Sequence, residues 1–454
     1  MSTHQFTTRT AIAIVVANMI GTGVFTSLGF QLVDIQSAFV LMMLWLVGGV
    51  TALCGALTYA ELGSSLPRSG GEYNFLSEIY HPAAGFISGW ISATVGFAAP
   101  TALAAMTFGA YLEASISGLS ATVMASLLVI TLTLVHAFSH AASGGVQSVF
   151  TILKVLLIIL FVGLVAFSVE NPQPVTLLPA AGDGTLLISS AFAVSLIYVN
   201  YAYTGWNAAT YIINEVEEPQ RSMPVILFTG TATVLVLYLL LNYTFLYAAP
   251  MAEMTGKIEI GVIVAQFAFG ETGGMIMGIV LATLLISTVS AMVIAGPRVL
   301  QVIGEDFTLF RLLSRKNANQ IPMIAIMTQS AVTLFFILTS TFESVLVFSG
   351  FVMGVNTFFA VAGVFLLRRR LAASELEDTE KSSHRTSYRT SYRTWGYPVT
   401  PLIYLGLMAW TLIYILINRP EEGWAGLGMI VAGGLLYLLS EKLGKAKAGD
   451  NGLG

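Results

Sequence analysis

The chain has 454 residues, 56% of them hydrophobic and only 10% charged, with 24 Asp and Glu against 20 Lys and Arg for a net charge of −4. A soluble domain carries about 25% charged residues, so a mean hydropathy of +0.81 over this length excludes a soluble globular protein and predicts many bilayer-crossing helices. The single cysteine, Cys54, excludes an intrachain disulfide and gives no metal motif, and charges confined to loops give no nucleic-acid surface.

Hydropathy predicts an all-α integral membrane protein with twelve spans, at roughly 10–33, 38–63, 82–113, 121–140, 147–169, 186–214, 223–248, 271–300, 322–341, 344–368, 399–418 and 423–441. No cleavable leader is expected at MSTHQFTTRT, because a long apolar stretch follows it without a small-residue cleavage pattern. With the N-terminus inside, Lys154 falls in a span and Lys257 and Arg419 fall on outer loops, which leaves 17 of the 20 Lys and Arg inside. Positive residues are retained on the cytoplasmic side, so both termini are expected there. Residues 253–268 are half polar and predict an outer loop with a short helix near the surface. Residues 371–396 are a polar cytoplasmic loop containing RTSYRTSYRT, read as a slipped repeat rather than a phosphosite.

Two spans carry an internal interruption. In the first it is Ile20-Gly21-Thr22-Gly23-Val24, after Met19; in the sixth it is Tyr203-Thr204-Gly205-Trp206-Asn207, after Tyr201 and Ala202. Glycine inside a helix costs about 1 kcal/mol relative to alanine. Unwound backbone at membrane depth is tolerated only where protein buries it or a cavity borders it. The half-helix after such a break presents free N–H groups that suit a carboxylate. The half-helix before it presents carbonyls that suit an ammonium. A site with both ends fits a zwitterion. Gly48, Gly49, Gly85 and Gly89 are read instead as packing glycines. Five spans separate the two breaks, and an odd repeat length inverts the second repeat relative to the first. The division expected is 1–169 and 186–368 as two inverted repeats, with the loop 371–396 and two further spans over 399–441.

The fifth span contains TILKVLLIIL, residues 151–160, with Lys154 in its middle. A charge at a helix centre costs about 2.5–3.5 kcal/mol and therefore faces a partner or water. Snorkelling is a poor explanation, because Lys154 lies roughly 10 Å past the start of the span at Gln147.

The sequence resembles the amino acid–polyamine–organocation transporters, and within them bacterial relatives of the L-type amino acid transporters. The stretches that carry the resemblance are ANMIGTGVF (17–25), YAELGSSLPRSGGEY (59–73), TILKVLL (151–157), YAYTGWNAATYIINEVEEPQRSMP (201–224) and RTWGYPVTP (393–401). The resemblance implies a LeuT-like 5+5 inverted repeat with broken helices 1 and 6, plus two C-terminal helices. It implies a substrate site whose carboxylate meets backbone N–H groups at Thr22 and Gly23, with the Thr22 hydroxyl nearby. The ammonium would meet carbonyls near Met19, Tyr201 and Thr204. Tyr201 stands where such transporters carry an aromatic gate, frequently phenylalanine, and Gly205 and Trp206 would shape the pocket. PRSGGEY and Glu215-to-Pro224 look like parts of an inner gate. Lys154 resembles a built-in substitute for the sodium ion of sodium-coupled members, with Ser287, Thr288 or Ser290 of span eight as its partners.

The function expected is secondary transport of neutral L-amino acids across a bacterial inner membrane by sodium-independent exchange. Neutral side chains are expected because no Asp or Glu is placed close to either break to pair a cationic side chain. A proton symporter in which Lys154 gives up its proton, a cationic amino acid or polyamine carrier, and an amino-acid-binding receptor are the alternatives. No Ser-His-Asp set, phosphate loop or nucleotide motif is visible, so no enzyme, no cofactor and no metal is expected. The partners expected are an L-amino acid and the lipid bilayer, with no nucleic acid and no evident accessory subunit. His136 and His140 read as hydrogen-bonded or solvated side chains, Glu61 with Arg68 as a structural ion pair, and Asn18, Asn200 and Asn207 as groups able to satisfy freed backbone.

Overall fold

The computed structural model describes residues 6–138, 144–317, 321–380 and 392–450. The chain starts with α1 (Thr8–Met19) and α2 (Gly23–Asp34), separated by a three-residue interruption, then α3 (Ala38–Ser65). Short α4 (Glu72–Ile79) leads into α5 (Pro82–Ile91), a π-helical segment Ser92–Gly96, and α6 (Ala98–Ser115). Next come α7 (Ala121–Phe138), α8 (Gly144–Ser168), short α9 (Asp183–Leu187) and α10 (Ser190–Ala202). After the second interruption a 3₁₀ helix, Ala208–Glu215, precedes α11 (Pro219–Ala248) and short α12 (Met251–Met254). The remainder is α13 (Ile260–Asp306), α14 (Met323–Thr339), α15 (Phe342–Glu380), α16 (Val399–Asn418) and α17 (Pro420–Asp450). The 3₁₀ segment Thr308–Ser314 lies between α13 and α14.

Among the described residues, nine helical stretches are long and apolar enough to cross a bilayer. Three shorter apolar helices, Leu153–Ser168, Ser190–Ala202 and Met323–Thr339, fall where hydropathy predicts spans five, six and nine. Lipid offers backbone groups no hydrogen bonds, so all-helical architecture is the expected solution. The one pairing of strand type among the described residues is an isolated bridge between Phe6 and Val216. It joins the lead-in of α1 to the end of the 3₁₀ helix, through Phe6 N–H to the Glu215 carbonyl (2.5 Å) and Glu217 N–H to the Phe6 carbonyl (3.1 Å).

The most extensive helix pairs are α6 with α13 and α3 with α11. Glycines allow the second approach: a Cβ on Gly49 would lie 2.2 Å from the Leu235 side chain. The core behind the two interruptions is aromatic. Trp45 meets Tyr238 edge-on at 5.6 Å between ring centroids, and Tyr203 lies 5.0 Å from Tyr238. All three side chains are fully buried. Each such pair contributes about 0.5–1.5 kcal/mol beyond area burial.

The segment expected over 253–268 does carry a short helix: α13 is interrupted at Gly270 (φ +74°), so the stretch from Ile260 to the kink is a separate piece, and Gly256 N–H bonds the Gly29 carbonyl of α2 at 2.8 Å. Two expectations are corrected. Arg68 is not the partner of Glu61. The Glu61 carboxylate instead takes a two-pronged contact from Arg368, 2.7 Å on each oxygen, together with the Thr394 N–H and hydroxyl at 2.7 and 2.5 Å. The loop expected over 371–396 is helical at its start, because α15 continues to Glu380. Most of RTSYRTSYRT, and His140, lie outside the described residues.

The clamp on Glu61 has a counterpart about 37 Å away along α15 at 1.5 Å per residue. There Glu343 accepts from the Tyr198 hydroxyl at 2.6 Å and pairs with Arg419 at 2.5 Å. Phe30 of α2 stacks on Phe342 beside it, 5.5 Å between centroids. Each end of the bundle is thus tied by one buried or half-buried carboxylate.

Candidate substrate site

The two interruptions meet. A Cβ on Gly23 would stand 2.6 Å from the Ala202 Cα, and one on Gly205 would stand 2.8 Å from the Asn18 carbonyl carbon. Only glycine permits backbone to approach backbone that closely. Gly205 also has φ +106°, a conformation that L side chains rarely adopt. Gly21 differs: the nearest atom to its Cβ position is the Met19 carbonyl oxygen at 4.0 Å.

The free ends are arranged as half-helix chemistry requires. Thr22 is the N-cap of α2 and makes no side-chain capping bond, so the first-turn N–H groups of α2 face the interruption uncapped. Such an end favours an anion. On the carbonyl side, the Tyr238 hydroxyl lies 2.5 Å from the Met19 carbonyl and 3.0 Å from the Ala202 carbonyl. A hydroxyl carries one proton and donates to one acceptor at a time. The Met19 carbonyl also accepts from the Gly21 N–H at 2.9 Å, so the Tyr238 proton is shared between an end of α1 that has another donor and the Ala202 end of α10. Sequence reading missed Tyr238, because it lies 36 residues past Ala202 in an unremarkable apolar span. The Tyr201 carbonyl accepts from Thr204 N–H at 2.9 Å, a local turn. Asn18 bonds its own helix at Ile14, and the Asn207 side chain turns to Glu72 and Tyr211. Neither side chain bridges the interruptions.

A small cavity of about 20 Å³ borders the first interruption, lined by Gly21, Thr22, Thr107, Tyr111, Lys154 and Thr288 among others. That is room for about one water. Lys154 donates to the Thr288 hydroxyl at 2.7 Å. Of the other two hydroxyls named as candidates, Ser290 is taken by His136 at 2.8 Å. Ser287 is buried and also engaged. Among the described lining residues Lys154 is the one charged side chain.

A second cavity, of about 60 Å³, borders the second interruption, where Tyr201, Thr204, Gly205 and Trp206 line it. Tyr203 also borders it from behind, with its hydroxyl on the Trp45 carbonyl at 3.3 Å. Trp206 packs edge-on against Tyr59 at 4.6 Å. The π-helical segment contributes Ser92 and Gly96. Its cause is legible in retrospect: Pro100 lacks an N–H, and its ring clashes with the carbonyl four residues back, that of Gly96. The volume holds a few waters.

Glu72 also lines this cavity, which corrects the expectation that no acidic group lies near a break. PRSGGEY delivers it from the start of α4. It is 2% exposed and held by the Tyr59 hydroxyl at 2.9 Å, the Tyr211 hydroxyl at 2.5 Å and the Asn207 amide.

Comparison with known proteins assigns the chain to a family. The amino acid permease family profile matches residues 6–438. The chain is 26% identical over 445 residues to the large neutral amino acids transporter small subunit 2 of Rattus norvegicus, covering 94% of this chain and 79% of that one. It is 26% identical over 372 residues to the b(0,+)-type amino acid transporter 1 of Mus musculus, with 79% and 74% covered. It is 24% identical over 366 residues to the cystine/glutamate transporter of Homo sapiens, with 79% and 72% covered. The chain belongs to the amino acid permease family, within the amino acid–polyamine–organocation transporters.

Proposed function

We propose that the protein exchanges neutral L-amino acids across a bacterial inner membrane by alternating access, without sodium. The reading takes twelve spans in a LeuT-like 5+5 inverted repeat with two C-terminal helices, both termini cytoplasmic. The single observation that carries it is the contact of two interrupted helices with complementary ends: uncapped N–H groups at Thr22 and Gly23, and carbonyls at Met19 and Ala202. The substrate carboxylate meets the first and its ammonium the second. Met19 already accepts from the Gly21 N–H, and Tyr238 has one proton for the two carbonyls, so an incoming ammonium donates to the carbonyl that the hydroxyl leaves. Lys154, fixed on Thr288 beside the first interruption, provides a permanent cation where a coupled carrier would bind a mobile one.

The relative named for large neutral amino acids supports neutral substrates. Names among the relatives also include glutamate, so side-chain choice falls to this chain's own cavity. A cationic amino acid or polyamine carrier is the second reading, favoured by the carboxylate of Glu72 in that cavity. One relative is named a small subunit; any larger partner of this chain would bind without a disulfide from Cys54, which is buried in α3.

The test is uptake of radiolabelled amino acids into proteoliposomes with and without amino acid inside. Stimulation by internal amino acid supports exchange. Binding without time-dependent uptake would refute transport and leave a receptor; consumption of the amino acid would mark an enzyme. A preference for lysine over leucine would select the second reading.

A further inference from the structure

Glu72 stands apart from the two carboxylates that tie the ends of the bundle. Glu61 is matched by Arg368 and Glu343 by Arg419. No ion pair to Glu72 occurs among the described residues, and no Lys, Arg or His lines its cavity. Its three partners are neutral and each is in donor position: two tyrosine hydroxyls and one amide. An ionised carboxylate is an acceptor only, with about four acceptor positions, so three donors hold the charged form and leave one position open. Gly71 caps the start of α4, with Glu72 in its first turn, where the helix dipole also favours a negative charge. The carboxylate thus has donors but no ion-pair partner, and it borders the same space as Thr204, Gly205 and Asn207.

We propose that Glu72 is a specificity-determining residue that excludes amino acids with anionic side chains. This rests on the reading of the second cavity as the place of the substrate side chain. Like charges in a cavity walled by protein repel far more strongly than in water. A carboxylate-bearing side chain would also need the donors that Tyr59, Tyr211 and Asn207 already give to Glu72. A neutral amide of the same shape meets neither obstacle. The exclusion holds for neutral and cationic substrates alike, so it is independent of the choice between those two.

Glutamine and glutamate, and asparagine and aspartate, differ in charge at nearly constant shape, so they are the probes. In proteoliposomes preloaded with a neutral substrate, external glutamate should inhibit counterflow at least about 10-fold more weakly than glutamine. Equal inhibition in the unaltered protein overturns the proposal without any variant. In Glu72→Gln the glutamate-to-glutamine ratio should rise about 10-fold or more, a tenfold change in preference corresponding to about 1.4 kcal/mol. The variant retains a hydrogen-bonded cage, because hydroxyls and amides reverse donor and acceptor roles. Glu72→His removes the charge by a second route if the first variant fails to purify. Tyr211→Phe keeps the charge and should leave the ratio unaltered, which separates charge from cage structure. An unchanged ratio in Glu72→Gln with neutral exchange intact overturns the charge assignment alone. Absence of any amino acid counterflow in the unaltered protein overturns the transport reading, and the proposal with it.

Discussion

The two interruptions are built from similar residues and furnished in opposite ways. Residues 18–25 and 200–207 contain glycine and a few uncharged polar side chains but carry no charge. The cavity beside the first has Lys154 as its charged lining residue; the cavity beside the second has Glu72. Both charges arrive from other elements, α8 and α4. The two interruptions thus stay uncharged, while Lys154 and Glu72 stand against them from other elements. In the proposed alternating-access cycle, a charge buried in a helix that moves would impose a desolvation cost at every turn; placing it on a neighbour avoids that.

The sharpest way to break this comparison is at the glycines. Gly205→Ala should abolish exchange, a loss of about 100-fold or more, because it combines a left-handed backbone costing about 1–2 kcal/mol with a Cβ 2.8 Å from the Asn18 carbonyl carbon. Gly21→Ala has 4.0 Å of clearance and should retain exchange within about 3-fold, as ordinary surface-like substitutions do. Equal losses at both positions would mean that glycine serves flexibility rather than close approach. Rates of counterflow normalised to purified protein read the difference.

Next in size, Lys154→Ala should lower the maximal exchange rate about 10-fold while KM shifts less than about 3-fold, the signature of an interaction made outside the bound ground state. Loss of affinity with an unaltered maximal rate would reassign Lys154 to substrate binding. A smaller effect is expected at Tyr238→Phe. It removes the hydroxyl shared by the two carbonyls; Met19 keeps the Gly21 N–H, so the cost of about 1–3 kcal/mol for an unsatisfied buried acceptor falls on Ala202. A lowered thermal midpoint in detergent that rises again on adding a bound amino acid is the expected pattern. A midpoint equal to that of the unaltered protein would show that the hydroxyl contributes nothing to holding α1 and α10.

Much of this was legible in the sequence, and the limits are physical. Positions of the interruptions follow from local glycine chemistry, which needs no partner. Lys154 was conspicuous because a charge in TILKVLLIIL has no local explanation, and Thr288 was among its three candidate partners. The misses are long-range. Arg68 is close to Glu61 in sequence, yet Arg368, 307 residues away, takes its place. Glu72 reaches Asn207 across 135 residues, and counting acids near a break in sequence could not detect it. Tyr238 gives no signal at all, since one tyrosine in an apolar helix is ordinary. The π-helical segment did have a signal, Pro100 inside an apolar run, that hydropathy does not register.

The central claim is that a fixed cation at the first interruption replaces a mobile one. Its most direct test is uptake of a neutral amino acid into proteoliposomes under imposed sodium and pH gradients, with internal amino acid present or absent. The account predicts uptake that depends on internal amino acid and is indifferent to sodium and to the direction of the pH gradient. Sodium-dependent uptake, or accumulation in empty vesicles driven by a pH gradient, would contradict it.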